Sequence, residues 1–140
     1  QYLFQQHLHV DEYPFFTPGT EQLVLRHAGH VLAPAICYES LQASHAEHAA
    51  KLGAHVYLAS VAKSERGVAS AYSHYPMMAK THSMTVMMAN CIGAADNFIG
   101  AGLSAIWSSA GELVCSADRF QEALVVYDIR TGEAGVFRLD

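Results

Sequence analysis

Short apolar runs, broken by polar or small-residue stretches, recur along this chain. Runs of that length bounded by turn residues predict buried strands. Glu21 to Arg26 and His30 to Ile36 are two such runs, split by Ala28-Gly29, and read as a hairpin or two neighbouring strands. The second run, from Val31, stops at Cys37-Tyr38-Glu39-Ser40. Ser44 then offers an N-cap, with Glu47 at capping-box spacing. The helix it opens passes through His48, Ala49, Ala50 and Leu52 to Gly53, a C-terminal stop. Val56 to Ala59 is the next short strand. The order strand, helix, strand is that of a βαβ unit.

The remaining pattern continues the alternation. Ser60 to Ser70 reads as a polar loop. Ala71 to Met84 has helical spacing, with Met77, Met78 and Met84 on its apolar side and Pro76 in the first turn or at a kink. Thr85 to Ala89 predicts a strand ending at Asn90-Cys91, followed by a small-residue loop, Gly93 to Asn97. Leu103 to Trp107 and Glu112 to Cys115 flank Ser108-Ser109-Ala110-Gly111, a hairpin signal. Glu122 to Ile129 is the last strand, and Arg130 to Asp140 reads as a tail. At the other end, Gln1 to Leu8 is extended and partly apolar. Asp11 to Gly19 is a loop with two prolines whose Phe15 and Phe16 are expected to pack inward. The expected architecture is one α/β unit over residues 1–140. Strands Val31 to Cys37, Val56 to Ala59, Thr85 to Asn90, Leu103 to Trp107 and Glu122 to Ile129 form a layered sheet, and the Ala71 to Met84 helix lies on one face.

Composition narrows the function classes. The 140 residues are 51% apolar and only 15% charged, a globular composition able to bury a core. The formal charge is −5 with no basic run, which argues against nucleic acid as a partner. No apolar stretch approaches the ~20 residues that span a membrane, and no secretory signal is read at the start. Cys37, Cys91 and Cys115 are odd in number with no CxxC, against a disulfide framework or zinc knot, so a reducing, cytoplasmic location is expected.

Cys37 is the leading candidate for chemistry. A thiol at the end of a strand can stand at the mouth of a sheet as a nucleophile; the alternative is a small buried apolar residue. His45-Ala46-Glu47-His48 lacks both HExxH and HxxEH spacing, so solvent-facing helix residues are expected there and no metal. His7-Leu8-His9 puts two histidines on one strand face, against the alternative of a hydrogen-bonded loop.

Four pieces then occur in order: Gln5-Gln6-His7-Leu8; Glu12 with Phe16-x-Pro18-Gly19; Ile36-Cys37-Tyr38-Glu39; and Asn90-Cys91-Ile92-Gly93 followed by Gly102-Leu103-Ser104-Ala105-Ile106. In this order and spacing, closed by the Ala110-Gly111 turn, the chain resembles the nitrilase, or carbon–nitrogen hydrolase, superfamily over nearly its whole length. The resemblance implies the C-terminal half of an α-β-β-α sandwich about twice as long. Such a half or partial sandwich leaves one sheet face underpacked, to be covered by the missing N-terminal half or by a second copy in a homo-oligomer.

The resemblance also implies a set of site residues. Cys37 matches the nucleophile, and Glu12 the second of the family's glutamates; the first lies upstream of these residues. The backbone N–H of Tyr38 matches an oxyanion donor, and Glu39 an acid that orients its neighbours. In the gap-free register His7-Leu8 sets the family's lysine position at Gln5; a lysine lost just before Gln1 needs an insertion. Either way that lysine is absent from the chain. The implied reaction is hydrolysis of a small amide or nitrile through a cysteine thioester, with no metal or cofactor. Free thiols have a pKa of about 8.5, so such a site needs a base and a nearby cation. Losing one oxyanion donor costs about 2.7–4 kcal/mol of transition-state stabilisation, so Gln5 in place of lysine implies impaired turnover. The competing reading is a non-catalytic remnant of the fold that serves as a binding or assembly module. A glutaminase-like cysteine enzyme fits less well, because Ile36 and Tyr38 stand where glycines are usual.

Overall fold

The computed structural model describes residues 2–139. Its centre is a six-stranded sheet of β1 (Leu25–His27), β2 (His30–Ile36), β3 (Val56–Val61), β4 (Thr85–Asn90), β7 (Ala105–Trp107) and β8 (Leu113–Ser116), in that spatial order. The strands β2, β3 and β4 are parallel, and the other pairings are antiparallel. Helix α1 (Ala43–Lys51) joins β2 to β3, and α2 (Glu65–His82) joins β3 to β4. Parallel crossovers are right-handed. Two that step the same way across the sheet therefore put both helices on one face.

Burial follows that geometry. Ala33, Ala35, Tyr57, Ala59, Val86, Met88 and Trp107 point to the helix side and are closed off from solvent. The small side chains of Ala33, Ala35 and Ala59 let the helices lie close, while Trp107 fills the space under α2, edge-on to Tyr72 at 5.0 Å and Tyr75 at 5.4 Å. On the opposite face Pro34, Ile36, Leu58 and Met87 are half-buried around a cavity of about 410 Å³. A single sheet thus has one sealed face and one open face. No helix among the described residues is long and apolar enough to cross a membrane.

Two small sheets flank the main one. The strands β5 (Ile92–Ala95) and β6 (Phe98–Ala101) form a hairpin, and β9 (Ala123–Tyr127) pairs with β10 (Ala134–Arg138).

The mixed α/β architecture and the hairpins at Ala28-Gly29 and Ser108 to Gly111 agree with the sequence, and several details do not. Glu122 to Ile129 yields β9, in its own two-stranded sheet and not the main one, because the segment expected as a tail supplies its partner β10. Gln1 and Asp140, at the ends of the expected extended and tail segments, lie outside the described residues. The loop Gly93 to Asn97 is part of the β5–β6 hairpin, turned by Asp96 at φ +48°.

Helix α2 begins at Glu65, six residues before Ala71, and ends at a left-handed Ser83, so Pro76 sits in its interior and Met84 is buried beyond it. The apolar stripe Ala71, Tyr75, Met78, Ala79 extends at helical spacing to Val68, inside the segment read as loop. Met77 falls off that stripe and is 61% exposed.

Helix α1 is capped at Gln42, not Ser44, because it continues directly from a 3-10 turn; Glu47 pairs instead with Lys51 at 2.7 Å. His45 faces the core with Ala46 and Ala49, so it is not solvent-facing as expected. Phe15 and Phe16 are 80% and 62% exposed. Two local turns, Phe15 and Phe16 N–H to the Glu12 carbonyl, direct that loop outward. Residues 7–9 form no strand: His7 turns to His45 and His9 to Tyr38.

Candidate active site

The carboxyl ends of parallel strands are where α/β sheets place their ligands. Here those ends deliver Cys37 after β2, Lys63 after β3 and Asn90 at the end of β4. At Cys37 the chain turns sharply from strand into a 3-10 helix, Cys37–Leu41, and the cysteine takes φ +44°. A non-glycine residue in the left-handed region is strained and persists only where its surroundings hold it. Ser40 Oγ donates to the Cys37 carbonyl at 2.5 Å and is within 2.7 Å of the Tyr75 hydroxyl. Glu39 reaches back with Oε1 to accept the Ile36 N–H at 2.7 Å.

Glu39 is fully buried, yet every contact it makes is structural. Its Oε2 accepts the Gln6 N–H at 2.7 Å and the His7 N–H at 3.4 Å, tying the N-terminal segment to the nucleophile turn. Behind it, His45 Nε2 is 3.8 Å from Oε1 and His45 Nδ1 is 2.7 Å from the Tyr57 hydroxyl. Burial pushes the Tyr57 phenol far up, so it stays protonated in its hydrogen bond with His45 Nδ1. Burial holds His45 below its ordinary value, with Glu39 partly offsetting it. Burial likewise raises Tyr75 to about 12, so its hydroxyl remains a hydrogen-bonding group for Ser40.

In front of the turn lies a second cavity, of about 330 Å³, walled by Cys37, Glu12, His9, Tyr38, Lys63 and Phe98 among others. Cys37 and Glu12 therefore share a cavity, and Tyr38 follows the thiol on its rim. Glu12 Oε2 accepts the His9 N–H at 2.6 Å and the Gln5 side-chain amide at 3.3 Å. The same amide nitrogen donates to the His7 carbonyl at 3.0 Å. Gly19 holds this segment in place: its N–H donates to the Gln5 carbonyl at 2.8 Å, and a Cβ there would stand 2.6 Å from Phe4. Gln5 thus lies behind Glu12, and neither it nor Glu39 is part of the cavity wall.

Lys63 is the residue that sequence reasoning missed. It falls in the stretch read as a polar loop, yet it is 7% exposed and its side chain joins the cavity wall. Burial pushes its ammonium down, and the charge of Cys37 pushes back. Asn90 and Ser104, both in the blocks picked out from the sequence, turn out to serve this position. Asn90 Oδ1 accepts the Lys63 N–H at 2.7 Å, and its Nδ2 donates to the Lys63 carbonyl at 3.1 Å and the Gly102 carbonyl at 2.8 Å. Ser104 Oγ accepts the Asn90 N–H at 2.9 Å. Among the described residues no group of three or more His, Cys, Asp or Glu is placed to hold a metal ion.

The fold is shared with solved structures of low sequence identity. One is a glutamine-dependent NAD+ synthetase from Acinetobacter baumannii, 22% identical, covering 93% of this chain and 26% of that one, TM-score 0.81. Another is Nit3 of Saccharomyces cerevisiae, a nitrilase-superfamily member, 19% identical over 84% of this chain and 44% of that one, TM-score 0.76. A third is an amidase from Nesterenkonia sp. AN1 in complex with butyramide, 23% identical over 99% of this chain and 49% of that one, TM-score 0.72. The chain thus spans from about a quarter to half the length of these proteins. A search of the curated proteins finds no match in sequence. The carbon-nitrogen hydrolase profile matches residues 3–138, nearly the whole chain, and the chain belongs to that family.

Proposed function

We propose that these residues form the nucleophile-bearing part of an amidase-type hydrolase of non-peptide carbon–nitrogen bonds, acting on a small amide or nitrile through a Cys37 thioester. The observation that carries this reading is the strained strand-to-helix turn that sets Cys37 at a cavity shared with Glu12. The amide reaction balances without a cofactor. The Cys37 sulfur bonds to the carbonyl carbon, the C–N bond breaks, and the amine leaves with the thiol's proton. Glu12 is the cavity carboxylate suited to carry that proton. Water then attacks the thioester carbon, the C–S bond breaks, and the acid leaves as the thiol is regenerated. The Tyr38 N–H, next after the nucleophile, is the assigned oxyanion donor.

The same reading takes the chain as the C-terminal half of a family-length domain, 1–140, which is cytoplasmic and pairs with its other half or with a second copy. The open sheet face supports this, since large apolar patches mark interfaces. A second reading, a non-catalytic module of the same fold, is favoured by Gln5, a neutral amide at the position assigned to lysine.

Glutamate mutants of the amidase relative carry acrylamide, or the acetamide moiety of fluoroacetamide, on the active-site cysteine. Fluoroacetamide is therefore the probe. Mass-spectrometric mapping should find it on Cys37 well ahead of Cys91 and Cys115, and butyramide should release ammonia only while Cys37 is intact. Equal or slower labelling of Cys37 rejects the hydrolase reading in favour of the binding module.

A further inference from the structure

Resting on that reading of Cys37, we propose that Lys63 supplies the cation that Gln5 does not: its ammonium faces the Cys37 sulfur and the anion that forms on the substrate. In the attack step the sulfur–carbon bond forms and the C=O π pair moves onto oxygen. An ammonium nearby stabilises both the thiolate before attack and the oxyanion after it.

Lysine is almost never buried without a partner. Among the described residues no carboxylate stands within ion-pair distance of the Lys63 ammonium, and the opposite charge it senses is that of Cys37. The position is also held more firmly than a surface lysine would need. Asn90 takes both its N–H and its carbonyl, and the Ala101 N–H donates to the same carbonyl at 3.0 Å. That is the rigid support a charge needs if it is to act without reorganising.

Gly67 contributes by lacking a side chain. A Cβ there would stand 3.1 Å from the Lys63 stem, so the glycine lets the stem lie against the first turn of α2. That first turn, through Ser64 and Gly67, lines the same cavity and brings the positive end of an 18-residue helix to it. The other titratable groups facing the pair are His9, Glu12 and Tyr38 in the cavity wall, with His74 and Tyr75 from α2. Burial and the charge of Lys63 both push the His74 imidazole down, which disfavours a competing cation there.

The test is the rate of Cys37 alkylation by iodoacetamide as a function of pH, in wild type, Lys63→Met and Lys63→Arg. An opposite charge close to a titrating group moves its profile by one to three pH units. Lys63→Met should therefore slow Cys37 labelling at neutral pH by about ten-fold or more and carry the profile to higher pH. Labelling of Cys91 should stay unchanged, and Lys63→Arg should keep most of the wild-type rate. If Lys63→Met does not fold, the reciprocal coupling decides. The Lys63 side-chain carbon resonance, followed against pH, should titrate lower in Cys37→Ser than in wild type. A fast-labelling Cys37 whose profile ignores Lys63, or a Lys63 titration that ignores Cys37, overturns this proposal and leaves the hydrolase reading standing. A Cys37 no faster than Cys91 in wild type overturns both.

Discussion

Two polar clusters meet at Cys37, and they differ in what their groups are bonded to. Behind the turn, Glu39, Ser40, His45, Tyr57 and Tyr75 are all buried, and their polar atoms are taken up by backbone or by one another. In front, Cys37, Glu12 and Lys63 share a cavity wall, with Glu12 bonded on one oxygen only. The contrast separates support from chemistry. Glu39 is the more deeply buried carboxylate and lies next but one to the thiol, yet every oxygen it has is committed to N–H groups. Glu12 is more accessible and keeps an oxygen free of protein hydrogen bonds among the described residues.

Substitutions can break this contrast, beginning with the largest effect. Glu39→Ala strands the N–H groups of Ile36, Gln6 and His7 in the interior, and removing one member of a buried polar set costs about 3–5 kcal/mol. Urea denaturation should show that loss directly; a loss below about 1 kcal/mol would mean that water replaces the carboxylate and the cluster is not structural. Tyr75→Phe keeps the ring against Trp107 and deletes only the bond to Ser40, so about 1–1.5 kcal/mol should be lost in the same measurement. Glu12→Gln should change stability by less than about 1 kcal/mol, yet alter butyramide turnover. Should it unfold the protein as Glu39→Ala does, the front cluster is structural too.

The clusters also separate by pH. His45 is held below its ordinary value in the folded state, so the unfolded chain binds more protons between that lowered value and about 6.5. Stability is then fully present above about pH 6.5 and is lost as the pH falls through the window toward the folded value. His45→Gln should flatten the dependence of the urea midpoint across that window. An unchanged slope would assign it to other groups, His74 first, since burial lowers that ring as well.

Much of this was legible in the sequence, for identifiable reasons. β2, β3 and β4 announce themselves because short runs such as Val31 to Ile36 and Val86 to Ala89 are apolar on successive residues, as strands inside a sheet are. Cys37 stands out because an apolar run stops there. The start of α2 was obscured by Glu65 and Arg66, which face solvent while Val68 and Ala71 carry the buried stripe. The partnership of β9 with β10 was hidden because β10 is exposed at four of its five residues and shows no alternation to mark it as a strand. Lys63 was beyond reach for a different reason. Its importance lies in a cavity built by the segments that follow β2 and β3 together with the Glu12 loop, and no local pattern encodes that meeting.

Trp107, the chain's only tryptophan, has an optical consequence. It is buried edge-on to Tyr75, whose hydroxyl reaches Ser40, which in turn holds the Cys37 carbonyl. One fluorophore is thus wired through two side chains to the nucleophile turn. Its emission should be that of an indole shielded from water, with Tyr72 and Tyr75 close enough to transfer energy to it, and it needs no label. Any adduct on Cys37 that shifts the turn will be readable as a change in the light from a ring on the sealed side of the sheet.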